Sequence, residues 1–219
     1  MDRPLAVPRK SAKARREELA AGDPVMADLI ERLGPLDFAT RLRRRKEERP
    51  ADAFGALLRS IVGQQISTKA ARAIYLRTLD LYDGPPTPEA TLELSEADLR
   101  GAGFSRRKVE YVHDLAARVV GGELELDRIE TLGDEEVIEE ISAVRGLGRW
   151  TAEIFLLFHL GRPDVISGGD LGIRRAIMIE DGLAAMPTPK EVEKRAERWR
   201  PNRSLASLYL WESLHAVPE

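Results

Sequence analysis

Apolar residues in this chain recur at helical spacing almost throughout, and that pattern restricts it to an all-α fold. In 53–62, AFGALLRSIV, residues Phe54, Leu57, Leu58 and Ile61 fall at i, i+3, i+4 and i+7, one stripe of a 3.6-residue period. Residues 68–82 continue it with Ala70, Ala71, Ile74, Leu76, Leu79 and Leu81. Further helices are predicted over 107–120, closed by Gly121 and Gly122, and over 134–144, acidic in its first turn as the helix dipole favours. Others follow over 171–182, 190–198 and 204–215. Ser95 reads as the N-cap of a short helix with Asp98 as its acidic partner. Gly84, Pro85, Pro86 and Pro88 read as a break. The stretch 150–160, WTAEIFLLFHL, is apolar nearly all round and is expected to lie buried. No strand-like run and no internal repeat interrupt this, so roughly ten helices are expected.

The chain has no cysteine, which excludes disulfides, thiolate zinc sites and Cys-ligated iron–sulfur clusters. Three scattered histidines, His113, His159 and His215, are expected to be structural rather than metal ligands. No apolar run approaches the roughly 18 residues of a membrane span. The first residues, MDRPLAVPRKSAKARREELAAG, lack an apolar core and are expected to form a solvated arm rather than a secretory signal, which leaves a cytoplasmic location as the default.

Net charge is −3, which by itself argues weakly against a nucleic-acid partner. The average conceals patterning. Residues 121–140 hold nine acidic and one basic residue, a local −8, so the rest of the chain carries +5. Arg41, Arg43, Arg44, Arg45, Lys46 and Arg49 cluster, Arg106, Arg107 and Lys108 are consecutive, and Arg145 and Arg149 flank a glycine-rich turn. Most such runs are solvated faces; placement beside turns is what makes them worth following.

That turn lies in 144–152, VRGLGRWTA, between an amphipathic helix and a buried one. Gly146 and Gly148 allow positive φ and close backbone approach to a bulky partner. The N–H groups opening the second helix then face outward with the positive helix end behind them, which suits a phosphate. Arg149 is expected to add charge and Thr151 a hydroxyl donor. The same turn also serves as an ordinary connection that needs glycine at a helix end. Asp170, after Gly168 and Gly169 and before LGIRRAIMI, has the position of a helix N-cap.

Helix, apolar-x-Gly-apolar-Gly-x-x-Thr-Ala, helix resembles the helix-hairpin-helix DNA-binding motif. With Gly169-Asp170 downstream, it is similar to the helix-hairpin-helix DNA glycosylase superfamily. Within that superfamily GRWTAEIFLLFHLGRPDV, GDLGIRRA, the upstream LLRSIVGQQIS and the C-terminal WRPNRSLASLYLW resemble the AlkA-type 3-methyladenine DNA glycosylase II family. Four separated motifs occur in order over roughly 51–215, which is far more specific than any one of them.

The resemblance implies two helical lobes, 51–165 and 1–50 with 166–219, and an active-site cleft between them. It implies a monofunctional glycosylase that flips an alkylated purine from damaged double-stranded DNA and hydrolyses its N-glycosidic bond, with no cofactor. A monomer, cytoplasmic and of bacterial type, associated with the nucleoid through DNA, is expected. Asp170 matches the catalytic aspartate. Trp150 and Trp211 match aromatics of the base pocket, and Trp150 stands where strand-cleaving relatives carry a Schiff-base lysine. Ile154 departs from the pattern, standing where an aromatic is common. Gln64 and Gln65 match the loop that enters the minor groove, Gln65 filling the gap left by the flipped nucleotide. Gly146, Gly148, Arg149 and Thr151 match DNA-backbone contacts. Ser105, Arg106, Arg107 and Lys108, which follow Gly101 and Gly103, read either as a capped helix start or as a second DNA-phosphate contact. The carbonyls of Ser142, Val144 and Leu147 match a site for a monovalent cation. A non-catalytic helix-hairpin-helix DNA-binding module would need the hairpin but neither Asp170 nor the aromatics, and an oxidised-base glycosylase/lyase is disfavoured by Trp150.

Overall fold

The computed structural model describes residues 11–36, 50 and 52–216; the basic cluster at 41–49 lies outside them. Among the described residues every regular element is helical. The chain divides into two compact units, Arg45–Gly161 and Met1–Arg44 together with Arg162–Glu219.

The segment expected to be a charged arm instead contains helix α1 (Ala12–Gly22), followed by α2 (Pro24–Leu33). Helix α1 buries only Leu19, so it has no apolar stripe to read. Helix α2 carries a legible start: the Asp23 carboxylate accepts from the N–H groups of Val25 and Met26, and Pro24 occupies the first turn, where its missing N–H does no harm.

The unit Arg45–Gly161 contains α3 (Ala53–Gly63), α4 (Thr68–Leu79), α5 (Pro88–Glu93), α6 (Glu96–Ala102), α7 (Arg106–Val120), α8 (Leu126–Ile129), α9 (Asp134–Ser142) and α10 (Arg149–Phe158). Helix α5 corrects the expected break. Pro88 stands at its first turn and Thr87 caps it by accepting from the Ala90 N–H, so the prolines start a helix rather than prevent one. Ser95 and Asp98 form the anticipated capping box of α6. Helix α4 buries Tyr75 and Thr78 while Leu76 is exposed, so part of its apolar stripe faces outward. Leu57, Leu58, Ile61, Val112, Leu115, Val137, Ile141 and Leu156 are buried in this unit.

The other unit adds α11 (Leu171–Glu180), α12 (Pro189–Ala196), a 3-10 turn (Glu197–Trp199) and α13 (Arg203–Ala216) to α1 and α2. Its core joins Leu19, Met26, Leu29, Ile173, Ile177, Val192, Trp199 and Tyr209. A buried polar cluster braces it. Arg195 pairs with Asp23 and Asp181, and Trp199 donates its Nε1–H to Asp23 at 2.9 Å. The Arg195 guanidinium also lies 5.0 Å from the centre of the Trp199 ring.

Candidate active site

The hairpin is built by α9, the turn at 143–148 and α10, and its two glycines have different reasons to be there. Gly146 has φ +81°, and a Cβ on it would lie 2.2 Å from Tyr111 Cδ2 and 2.3 Å from Tyr111 Cγ. The fold itself requires glycine at that point. Gly148 caps α10 with φ −113° and ψ 177°, and a Cβ on it would meet nothing within 4 Å. Nothing in the protein crowds Gly148, so its backbone is open to an external partner.

The side chains expected to reinforce this turn are used internally. Arg149 donates through Nη1 and Nη2 to the Glu135 carboxylate at 3.0 and 2.7 Å, and through Nε to Glu153 at 3.0 Å. Hydrogen bonding from Arg149 holds the Glu135 carboxyl below its usual range, against a smaller opposing effect of burial. Two carboxylates therefore neutralise the charge expected to meet phosphate, and Arg149 acts as a brace between α9 and α10. Thr151 is 3% exposed, which corrects the expectation of a hydroxyl donor: its side chain faces the core. Trp150, by contrast, is 44% exposed at the start of the otherwise buried α10. Core packing, the alternative reading of its large aromatic ring, does not hold. His159 sits just past the helix end, its ring stacked 4.7 Å from that of Phe155.

The loop after α3 is tied to the same turn. Gln64 donates its Nε2–H to the Gly146 carbonyl at 2.8 Å. Lys108 donates from Nζ to the carbonyls of Val62 and Gln64 at 2.7 and 2.8 Å. Its ammonium is thus engaged with the end of α3, and burial lowers its pKa. Gln65 is exposed and takes the left-handed backbone conformation, φ 57°. Ser105 caps α7 by accepting from the Lys108 N–H at 3.3 Å, while Arg106 and Arg107 are exposed beside it.

Asp170 is 9% exposed and caps α11. Its Oδ1 accepts from the Ile173 N–H at 2.9 Å and from Trp211 Nε1–H at 3.0 Å. Trp211 is expected as a pocket aromatic; its indole N–H also holds the carboxylate. Gly172 makes room for this, since a Cβ there would lie 3.1 Å from both Trp211 Cδ1 and Asp170 Oδ1. Gly168 is equally constrained, since a Cβ there would lie 2.8 Å from the Pro189 carbonyl oxygen, whereas Gly169 is open. Leu171, immediately after Asp170, is 66% exposed. A single apolar residue carries no motif, so nothing in the sequence marks it.

Among the described residues, no group of three or more His, Asp or Glu side chains is arranged for a metal ion. The expected cation ligands are backbone carbonyls. That of Val144 already accepts from the Leu147 N–H at 3.1 Å, which occupies one of its two lone pairs.

Two helices joined by a glycine turn whose Gly148 backbone is uncrowded, with a separate helix-capping aspartate, define a helix-hairpin-helix protein. A sequence profile described as HhH-GPD superfamily base excision DNA repair protein matches residues 58–201, and the chain belongs to that superfamily. It is 34% identical over 165 residues to DNA-3-methyladenine glycosylase 1 of Schizosaccharomyces pombe, spanning 74% of this chain and 72% of that protein. It is 30% identical over 171 residues to DNA-3-methyladenine glycosylase 2 of Escherichia coli K12, spanning 73% of this chain and 57% of the relative. The fold matches the structure of the S. pombe 3-methyladenine DNA glycosylase in complex with abasic DNA, with a TM-score of 0.80 and 29% identity over 92% of this chain and 97% of the other.

Proposed function

We propose that the protein is a monofunctional DNA glycosylase that flips alkylated purines of the 3-methyladenine type out of double-stranded DNA and hydrolyses their N-glycosidic bonds. The observation that carries this is Asp170: a nearly buried carboxylate, fixed by two hydrogen-bond donors, in a chain of the base excision repair superfamily. The relatives named for 3-methyladenine supply the substrate class.

One carboxylate suffices for this substrate. An N3- or N7-alkylated purine is cationic, so it leaves as a neutral base without a proton donor. The glycosidic C–N bond breaks with its electron pair going to the base, and positive charge grows on the sugar. Asp170 stabilises that charge, water bonds to the anomeric carbon, and the carboxylate takes up the water proton. An ordinary glycoside hydrolase needs a second carboxyl as acid because its leaving oxygen would otherwise depart as an alkoxide anion. The exposed face of Trp150 attracts a cationic base more than a neutral one. With Trp150 at the position of the lyase lysine, no imine forms there, and the product is an abasic site.

The backbone N–H groups at Gly148 and the start of α10 meet a DNA phosphate. The Ser142, Val144 and Leu147 carbonyls would hold a monovalent cation, which supplies positive charge toward the phosphate. The protein works as a monomer on DNA in the cytoplasm.

The test incubates the protein with methylated duplex DNA and measures free-base release and strand breaks before and after alkali. Release with alkali-dependent breaks is expected. Asp170→Asn keeps a good N-cap and hence the fold, but base release falls by roughly 10²–10⁴-fold. Near-normal excision by that variant removes Asp170 from the chemistry, and a borohydride-trapped covalent complex in the wild type removes the monofunctional reading.

A further inference from the structure

Gln65 is an exposed, non-glycine residue held at positive φ, a conformation that persists only where its surroundings impose it. Two contacts impose it here. On one side Lys108 reaches from α7 to the carbonyls of Val62 and Gln64, the last acceptors before Gln65. On the other, the Gln64 carboxamide grips the Gly146 carbonyl in the hairpin turn. The Gly146 position is itself fixed, because Tyr111 of α7 fills the space a side chain would need. Helix α7 thus supports both the loop and the hairpin: Tyr111 packs beneath the turn, and Lys108, one helical turn earlier, clamps the loop.

We propose that Lys108 and Gln64 are positioning residues for Gln65, and that they join the Gln65 loop and the hairpin turn into one preorganised DNA-reading unit. Lys108 neutralises the negative C-terminal end of α3 while presenting Gln65 outward. Gln64 transmits the position of the phosphate-binding turn to the residue that fills the flipped-out gap. Both residues are expected as DNA contacts; here their polar groups bond to backbone carbonyls of the protein, and their effect on DNA passes through Gln65. The inference rests on the proposed glycosylase function.

The experiment is a double-mutant cycle on single-turnover base release, with Lys108→Met and Gln65→Gly alone and combined. The substrates are one lesion in duplex and the same lesion in a single strand. Gln65→Gly removes both the side chain and the strained backbone, so it removes what Lys108 acts upon. Lys108→Met alone is expected to slow duplex excision about tenfold, the low end for losing a charge-assisted hydrogen bond, and single-strand excision several-fold less. In the Gln65→Gly background Lys108→Met should have less than about a twofold further effect.

Strict additivity of the two substitutions overturns the proposal. So does a salt dependence of duplex binding whose slope drops by about 0.9 in Lys108→Met, the signature of a direct phosphate contact. A purely structural lysine lowers the melting temperature and slows duplex and single-strand excision equally, which also refutes it. Gln64→Glu, which replaces the donating amide by an acceptor facing a carbonyl, should reproduce the duplex-selective loss. Failure of the wild type to release any base overturns the glycosylase reading instead, and so is distinguishable from failure of the clamp.

Discussion

Replacing Gly146 and Gly148 separately by alanine divides the hairpin turn into a part the fold needs and a part only a ligand needs. At Gly146 the backbone lies at φ +81°, and an added Cβ would lie 2.3 Å from Tyr111 Cγ. Cγ sits next to the backbone of its helix, so the ring cannot swing clear without moving α7. The left-handed conformation costs a non-glycine residue about 1–2 kcal/mol. Overpacking adds about 1–3 kcal/mol. The sum, about 2–5 kcal/mol, is a large share of the roughly 5–15 kcal/mol that holds a domain folded. At about 2–4 °C per kcal/mol, the melting temperature should fall by about 4–20 °C. At Gly148 the backbone is extended and the space around it is open. Alanine there is a poorer N-cap by up to about 1 kcal/mol. It also recovers roughly 0.4–1 kcal/mol by restricting the unfolded chain. The melting temperature should barely move, yet on the proposed function the added methyl group stands in the path of the phosphate. Losing one backbone-to-phosphate hydrogen bond of about 1.5 kcal/mol weakens duplex binding about tenfold. Thermal melts by circular dichroism and fluorescence anisotropy with a lesion duplex read the two effects. A Gly148→Ala protein that melts well below wild type, or binds DNA as tightly, refutes the reasoning.

Two further outcomes follow from the ion pairs. Arg149→Met should leave the salt dependence of DNA binding unchanged, because Glu135 and Glu153 already neutralise that guanidinium; a slope smaller by about 0.9 would show a phosphate contact after all. Its effect on stability should stay below about 1 kcal/mol, since the Arg149 side chain is half exposed and screened. Burial alone would raise the Asp23 carboxyl, but hydrogen bonds from Arg195, Trp199 Nε1 and the Val25 N–H hold it below its ordinary 3.8. A lowered folded value means that its stabilisation is complete above the unfolded value and is lost as pH falls through the folded one. Asp23→Asn should therefore cost about 1.5–3 kcal/mol near neutral pH, by weakening the charge-assisted hydrogen bonds from Arg195 and Trp199 while Arg195 keeps its Asp181 partner. The gap between the two melting curves should narrow as pH falls below the ordinary carboxylate range and through the lowered Asp23 value. A gap that stays constant over that acid range contradicts the assignment.

The motifs were legible because they are local. The capping box at Ser95 and Asp98 and the Asp170 N-cap each depend on neighbours within four positions, so their residue types and spacing show in the sequence; the hairpin glycines show by their spacing, although the Tyr111 ring that makes Gly146 obligatory lies on another helix. Helix α1 was not legible because it buries a single leucine, and α5 was misread because a proline in the first turn looks like a breaker. Arg149 was read as a phosphate ligand because it adjoins the turn. Its Glu135 partner lies 14 positions away in a run that reads as solvated. The Trp211–Asp170 bond spans 41 positions, and no spacing rule reports it.

The sequence by itself determined the all-α class, the place of the hairpin, the capping aspartate and, through its motifs, the glycosylase resemblance. Those follow from short-range hydrogen bonding and from the apolar period, which act along the chain. Only the tertiary structure decided which groups remain available to a ligand. Folding brings Glu135 onto Arg149, turns Thr151 inward, exposes Trp150 and draws Lys108 to the end of α3. The reason is physical: a charge or donor is consumed by whatever partner lies within about 3 Å in space, and that distance is set by packing, not by position along the chain.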